Sequence, residues 1–196
     1  MMTTALNSGG DIPTTSPYSE DPRTVSSIPA NITDWVLVQL RSTVDGSTVA
    51  SKSALLHRDG RIVADDGSTG QIGLDAAEES YYIVIKHRNH LTVMSDETHS
   101  LSSSSSTLYD FTVDESTAYD KYYGGDAKLL ETGVYGMYAG DADGSGTVDA
   151  NDRADTWNDR NATGYDGSDC ALSGTCDAND RATTWNNRNK STNVSG

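Results

Sequence analysis

Side chains with oxygen atoms recur at alternate positions in residues 141–152, which read DADGSGTVDAND. Calcium is a hard cation that takes about six to eight oxygen ligands, and a loop of about twelve residues supplies them from positions 1, 3, 5, 7, 9 and 12. Gly146 lies at position 6, where the loop must turn sharply. The alternative is an acidic, solvated loop. The spacing predicts a calcium site with the ligands Asp141, Asp143, Ser145, the Thr147 carbonyl, Asp149 and Asp152.

A second copy of this loop follows, and Asp177 corresponds to Asp149, so the repeat distance is 28 residues. Ala171 lies at position 3 and cannot bind a metal. Cys170 and Cys176 lie at positions 2 and 8, and we predict a disulfide between them that staples the loop. Two free thiols, or a copy that binds no metal, are the alternatives. We predict a second Ca²⁺ site with the ligands Asp169, Ser173, the Thr175 carbonyl, Asp177 and Asp180.

The segment after each loop predicts a helix, RADTWNDRN in the first copy and RATTWNNRN in the second. We predict that Trp157 and Trp185 pack between the two helices as a small core, with sugar stacking as the alternative. Arg153 and Arg181 directly follow the last ligand of each loop. We predict that they pair with acidic groups of the other loop.

This loop–helix repeat resembles the dockerin family over residues 138–190. The resemblance implies an extracellular unit with two calcium loops and two antiparallel helices, which docks onto a cohesin-like partner. The family often carries Ser-Thr at loop positions 10 and 11, whereas this chain carries Ala150-Asn151 and Ala178-Asn179. That departure puts cohesin binding in doubt, but the identical pair in both copies permits two equivalent docking orientations.

The middle of the chain is rich in β-branched and aromatic residues and in turn signals. It predicts an antiparallel β-sandwich over 31–137, followed by the small helical calcium-binding domain at 138–196. A short helical turn is predicted at 126–131. Arg41, Lys86 and Arg88 are expected on an outer face, and His87 and His90 are expected to form hydrogen bonds at a strand end rather than bind metal. Strands are predicted at 34–41, 47–57, 61–64, 70–74, 80–86, 90–94, 108–113 and 133–138.

Several of these segments, among them DWVLVQLR, YYIVIKHRNHLTVMS and GVYGMYAGDADGSG, resemble a β module near the C-termini of large secreted proteins. Those proteins come mostly from Bacteroidetes-like bacteria and are often labelled adhesin or hemagglutinin-like. The resemblance implies a cell-surface β module. It provides no catalytic residues to transfer.

Residues 1–30 are rich in Ser, Thr, Pro and Gly and predict an extended N-terminal arm. The arm is either a linker or a donor strand that adds to the sheet of a neighbouring subunit. The first ten residues, MMTTALNSGG, lack the basic and apolar regions of a secretory signal. We therefore expect the chain to be a piece of a longer precursor.

The net charge of −15 opposes binding to nucleic acid and suits divalent cations. The sequence contains no apolar run of about 18 residues that would span a membrane. Possible glycan sites are the serine run 102–106 and the sequons at Asn31, Asn161, Asn189 and Asn193.

The sequence carries no motif of a known catalytic site, so we predict a protein that is not an enzyme. The preferred interpretation is an extracellular, calcium-binding structural protein that assembles with itself into a cell-surface filament or matrix. The alternative is a docking module for a cohesin-like scaffold, and a weaker alternative is a carbohydrate-binding adhesin. Calcium removal is expected to unfold residues 140–190, because metal binding and folding are coupled.

Overall fold

The computed structural model describes residues 1–104, 106–120 and 127–194, and its largest element is an antiparallel sheet. Every residue of the central strand is buried, because both faces of the sheet are covered. This double burial explains why DWVLVQLR has no polar face. The sheet order is β3 (Ile62–Val63), β2 (Thr48–His57), β1 (Ile32–Arg41), β4 (Ser80–His87) and β5 (His90–Met94), and β6 (His99–Ser100) pairs with β4.

A hairpin of β7 (Ala127–Glu131) and β8 (Val134–Met137) forms a second, smaller sheet. It is tied to β5, because the Leu91 amide donates to the Tyr138 carbonyl at 2.8 Å. The helical elements are α1 (Ala5–Gly9), a 3₁₀ turn (Glu115–Thr117), α2 (Ala150–Asn158) and α3 (Ala178–Asn186). The predicted fold class, mainly β with antiparallel sheets followed by a small helical part, is confirmed.

The two faces of the large sheet are covered by different parts of the chain. On one face, Trp35 and Leu55 pack with apolar residues of the N-terminal arm and with Leu172 of the second loop. On the other face, Val36 and Val38 pack with side chains from the connecting loops and from β8. The C-terminal Val194 also returns to the sheet, where it contacts Val84 and Met94. The tandem repeat and the sheet therefore share a core.

The arm differs from the predicted extended segment. It begins with helix α1, and its Leu6 and Ile12 are buried in the core of its own chain. The Trp35 indole N–H donates to the Pro13 carbonyl at 2.8 Å, and Thr15 and Thr24 form a small antiparallel bridge within the arm. The arm therefore packs on the face of its own sheet and adds no strand to it.

Three of the predicted elements are wrong. Residues 70–74 form no strand, although Ile72 and Leu74 still cover the sheet, because β3 at that edge is only two residues long. Residues 108–113 form no strand because the Asp110 carboxylate accepts from the Thr112 amide at 2.8 Å and closes a turn. The predicted helical turn at 126–131 is strand β7 from residue 127 onward, since the chain reverses at Gly133 and pairs with β8.

No helix in the described part of the chain is long and apolar enough to cross a membrane.

The predicted outer basic stripe is wrong at two of its three members. Arg41 is buried in the covered sheet, and the side chain of Arg88 is only 9% exposed because it turns inward to Asp34. Ser105, within the serine run, lies outside the described residues.

Candidate calcium site and its degenerate copy

Asp141, Asp143 and Asp152 converge in the first loop, and one carboxylate oxygen from each lies within 4.8 Å of those of the other two. Asp152 is buried at the start of α2, whereas Asp143 is exposed at the mouth of the loop. Three converging carboxylates form the kind of oxygen-rich site that suits calcium. The structure therefore brings together three of the six predicted ligands by their side chains.

Backbone N–H groups hold these carboxylates in place. The Gly146 amide donates to both oxygens of Asp141, at 3.2 and 3.1 Å, and Gly146 has the positive φ of 83° that its loop position requires. The Asp152 carboxylate accepts from the Asp149 amide at 2.6 Å, which forms a capping box at the start of α2. The helix start and the loop are therefore fixed by the same side chain.

The other predicted ligands of the first loop form hydrogen bonds outside the carboxylate cluster. The Asp149 carboxylate caps α2 by accepting from the Asn151 amide at 2.6 Å, and it is not part of the carboxylate cluster. The Ser145 hydroxyl donates to the Thr147 carbonyl at 3.3 Å. We keep these three residues as proposed ligands.

Burial and the nearby negative charges of Asp152 and Asp143 raise the pKa of Asp141 to about 6. Burial and the charge of Asp143 also raise the pKa of Asp152. Carboxylates held this close repel each other, and a divalent cation between them would reverse that repulsion. The electrostatics of the first loop therefore favour a bound cation.

The second loop has nearly the same backbone with one carboxylate fewer. The Asp169 carboxylate accepts from the amides of Ser173 and Gly174, at 2.9 and 2.7 Å. Asp180 accepts from the Ala171 amide at 2.8 Å, as Asp152 accepts from the Asp143 amide in the first loop. Asp177 caps α3, and the Ser173 hydroxyl donates to the Thr175 carbonyl at 2.9 Å. The second loop therefore repeats these hydrogen bonds of the first, but Ala171 provides no carboxylate at position 3.

The predicted disulfide is not formed, and both thiols are free and buried. The two thiols donate to different carbonyls, Cys170 to that of Gly167 and Cys176 to that of Thr156. Cys176 occupies the position that the buried Val148 holds in the first loop. Burial raises the pKa of Cys176 to about 11, and it raises the pKa of Cys170 as well. The cysteines therefore serve as small apolar core residues.

Each loop pairs with the segment that follows the helix of the other copy. The Val148 amide donates to the Lys190 carbonyl at 2.8 Å, and the Cys176 amide donates to the Ala162 carbonyl at 2.9 Å. Positions 162 and 190 are one repeat distance apart, so the two contacts are equivalent. The two loops and two helices form one pseudo-symmetric unit. The inter-helix core holds the buried Thr156 and Thr184.

The prediction that Trp157 and Trp185 form this core is wrong, because the two rings are 57% and 50% exposed. The buried stripe of α2 runs through Asp152 and Thr156, which leaves Trp157 beside it on the surface. Each ring instead contacts two guanidinium groups. Arg181 and Arg160 lie 5.7 and 5.2 Å from the Trp157 centroid.

The Trp185 ring has the equivalent neighbours. Arg153 lies 5.2 Å from its centroid and Arg188 lies 4.5 Å from it. Arg153 and Arg181 therefore cross to the indole of the other helix, rather than pairing with the acids of the other loop as predicted. We call the surface formed by these six side chains the Trp–Arg face: Arg153, Trp157, Arg160, Arg181, Trp185 and Arg188.

A buried polar cluster joins the sheet to the second loop, and the sequence analysis missed it. Asp34 accepts from the Tyr165 hydroxyl at 2.6 Å and from Arg88 Nε at 3.0 Å, and His87 Nε2 lies 3.2 Å away. Burial disfavours the Asp34 carboxylate, but these partners outweigh burial and lower its pKa to about 2. The ring centroids of His87 and His90 lie 4.4 Å apart in an edge-to-face contact, because a tight turn joins β4 and β5. In the sequence, the run HRNH at 87–90 was the one sign of this cluster.

No protein-family model matches the chain, and no curated protein is significantly similar to it. Two solved structures resemble it weakly. They are an N-terminal and a C-terminal interface mutant of a type II cohesin–X-dockerin complex from Acetivibrio cellulolyticus. Their identities are 17% and 18% and their TM-scores 0.42 and 0.43, and each match covers 80% of this chain and 82% of the other.

Proposed function

We propose that this chain is a non-catalytic, extracellular binding module that calcium stabilises, and that its Trp–Arg face docks onto a cohesin-like protein partner. The observation that carries the proposal is the exposure of Trp157 and Trp185 at equivalent positions of two helices. Each helix is capped by one proposed calcium ligand, Asp149 or Asp177, and carries another, Asp152 or Asp180, in its first turn. Calcium bound at the first loop would therefore fix α2, and with it the docking face.

Half-exposed tryptophan beside arginine is typical of the centre of protein interfaces. The four arginines make this face basic, although the chain carries a net charge of −15. A partner surface with carboxylates would form charge-assisted hydrogen bonds with these guanidinium groups. Two guanidinium groups already lie over each indole, so the rings offer little free face for a sugar. A protein partner fits the face better than a carbohydrate.

The test is surface plasmon resonance against a panel of purified cohesin modules, with and without calcium. We expect binding in calcium that is lost in EDTA. The double variant W157A/W185A should lose at least about a hundredfold in affinity, in the range of paired interface hot spots. The matched control is L129A/L130A, which removes exposed leucines from β7. Equal binding by both variants would exclude the Trp–Arg face as the docking site.

The self-assembling filament remains the second candidate, and the arm is the observation that bears on it. The arm already fills the core of its own chain, so polymerisation would require neighbouring chains to exchange arms. Sedimentation velocity in calcium separates the two proposals. Large, regular species would support arm exchange. A monomer that still binds a cohesin would leave docking as the function.

A further inference from the structure

Asn89 contacts both calcium loops from the turn between β4 and β5, and it is completely buried. Its backbone carbonyl accepts from the amides of Gly140 and Asp141, at 3.0 and 3.2 Å. Its side-chain nitrogen donates to the carbonyls of Gly167 and Asp169, at 3.0 and 2.8 Å. Asp141 and Asp169 hold position 1 of the first and second loop. One residue of the sheet therefore fixes the first residue of each loop.

The amide of Asn89 is itself held in one orientation. Its side-chain oxygen lies 2.8 Å from His90 Nδ1, which leaves the nitrogen to face the second loop. The neighbouring Arg88 also reaches that loop, because its guanidinium group donates to the Asp166 carbonyl. The turn between β4 and β5 thus donates to the carbonyls of Asp166, Gly167 and Asp169, which lie at and just before the start of the second loop.

Leu172 provides a second tie that has no counterpart in the first loop. It is 7% exposed and packs in the core cluster with residues of the sheet and the arm. Its φ is 56°, close to the 69° of Gly144 at the equivalent position. Left-handed backbone is unfavourable for leucine, so its burial must outweigh that strain.

We propose that Asn89 is a positioning residue that, together with Leu172, holds the second loop in its folded form without calcium, whereas the first loop depends on the ion. The proposal rests on calcium binding by the first loop. It assigns the second loop a structural role, which is to lock the helix pair onto the sheet. The missing carboxylate at Ala171 is then tolerated, because the protein itself supplies the order that the ion supplies at Asp143.

The test is amide hydrogen exchange on the full chain, in calcium and in EDTA, resolved for 141–149 and 169–177. In EDTA we expect protection of the first loop to fall at least about tenfold while the second loop stays protected. The variant N89A keeps the backbone carbonyl but loses the side-chain donors. In EDTA it should lose protection at 169–177 and keep the sheet protected. The control Q39A removes another buried amide of the sheet, one whose side-chain nitrogen donates to Ser51 at 3.1 Å.

Each outcome has a distinct meaning. Equal loss of protection in both loops of the wild-type chain in EDTA would overturn the proposal. Unchanged exchange of the second loop in N89A would overturn the role of Asn89. Equal effects of N89A and Q39A on the whole chain would reduce Asn89 to a general contribution to stability. If calcium changes nothing in the first loop, the proposed calcium function fails, and N89A in EDTA still reports on Asn89.

Discussion

The two loops of the repeat have nearly the same backbone but differ in what holds them. The first loop gathers three carboxylates and carries Gly144 at a left-handed position of its backbone. The second replaces one carboxylate with Ala171 and the glycine with the buried Leu172. Once a tandem unit has been joined to a larger domain, one copy can lose metal ligands if packing supplies the same order. A loop that lacks a metal ligand can therefore still have a structural role.

The largest expected effect concerns the apolar anchor of the second loop. Leu172→Ala removes a buried side chain from the shared core and should lower the free energy of unfolding by about 2–5 kcal/mol. Urea denaturation in EDTA measures this without a calcium contribution. The control Leu129→Ala changes an exposed leucine and should cost less than about 0.5 kcal/mol. Similar values for the two variants would mean that Leu172 is no anchor.

The next effect separates the two loops by their metal. Asp152→Asn should abolish the proposed calcium site of the first loop and remove the stabilisation by the ion, about 2.7 kcal/mol at a calcium concentration of 100 times the Kd. Asp180→Asn changes the same capping box in the second loop. The difference in melting temperature with and without calcium should vanish in D152N and persist in D180N. The reverse pattern would mean that the second loop, and not the first, holds the calcium-dependent site.

A pH effect is expected at the contact between the sheet and the second loop. The pKa of Asp34 is lowered to about 2 in the folded chain, against an ordinary value of 3.8. Its stabilisation is therefore complete above about pH 4 and is lost as the pH falls through 2. The size is about 2 kcal/mol. Denaturation of Asp34→Asn and the parent chain in EDTA at several pH values measures it. The stability gap between them should shrink across that window, and a constant gap would contradict the assignment.

A smaller effect should restore what the second loop has lost. Ala171→Asp returns a carboxylate to position 3, where the amide already contacts Asp180 as the Asp143 amide contacts Asp152. We expect calcium affinity at this loop to rise by about tenfold, or 1.4 kcal/mol. Isothermal titration with calcium measures it. The neutral variant Ala171→Asn is the control for added volume. Unchanged affinity in A171D would show that Leu172 holds the loop in a form that rejects the ion.

The smallest effect concerns the free cysteines. Cys176→Val places in the second loop the residue that the first loop carries at Val148, so the free energy of unfolding should change by less than about 1.5 kcal/mol. Thiol labelling of the parent chain should be slow in the folded state and complete for both cysteines in denaturant. A chain that labels at neither site in denaturant would contain the disulfide that the structure lacks.

The sequence predicted the parts of the molecule that depend on local spacing. The start of each helix follows from residues within twelve positions of Asp141 or Asp169, and the strong strands follow from β-branched runs such as DWVLVQLR. The predictions of the weak strands were wrong, because 70–74 and 108–113 pack on the sheet but form no ladder of backbone hydrogen bonds with a strand. Strand pairing depends on distant neighbours, which a local pattern does not contain.

The contacts between the sheet and the repeat could not be predicted for the same reason. Asn89 and Asp169 are 80 positions apart, and Tyr165 lies 131 positions from Asp34. Ala171 and Leu172 appear in the sequence as defects of a calcium loop, and only the folded chain shows what Leu172 contacts. The exposed Trp157 was misplaced because its helix is short and buries threonine instead.

The central claim is that two loops of the same shape have divided the work of binding metal and anchoring the fold. Native mass spectrometry of the chain across a series of free calcium concentrations tests it most directly. We predict that a first ion binds at a concentration at least about tenfold below that needed for any second ion. D143A should lose that first ion, and N89A should keep it. Two ions that bind with equal affinity, or a first ion that survives D143A, would contradict the account.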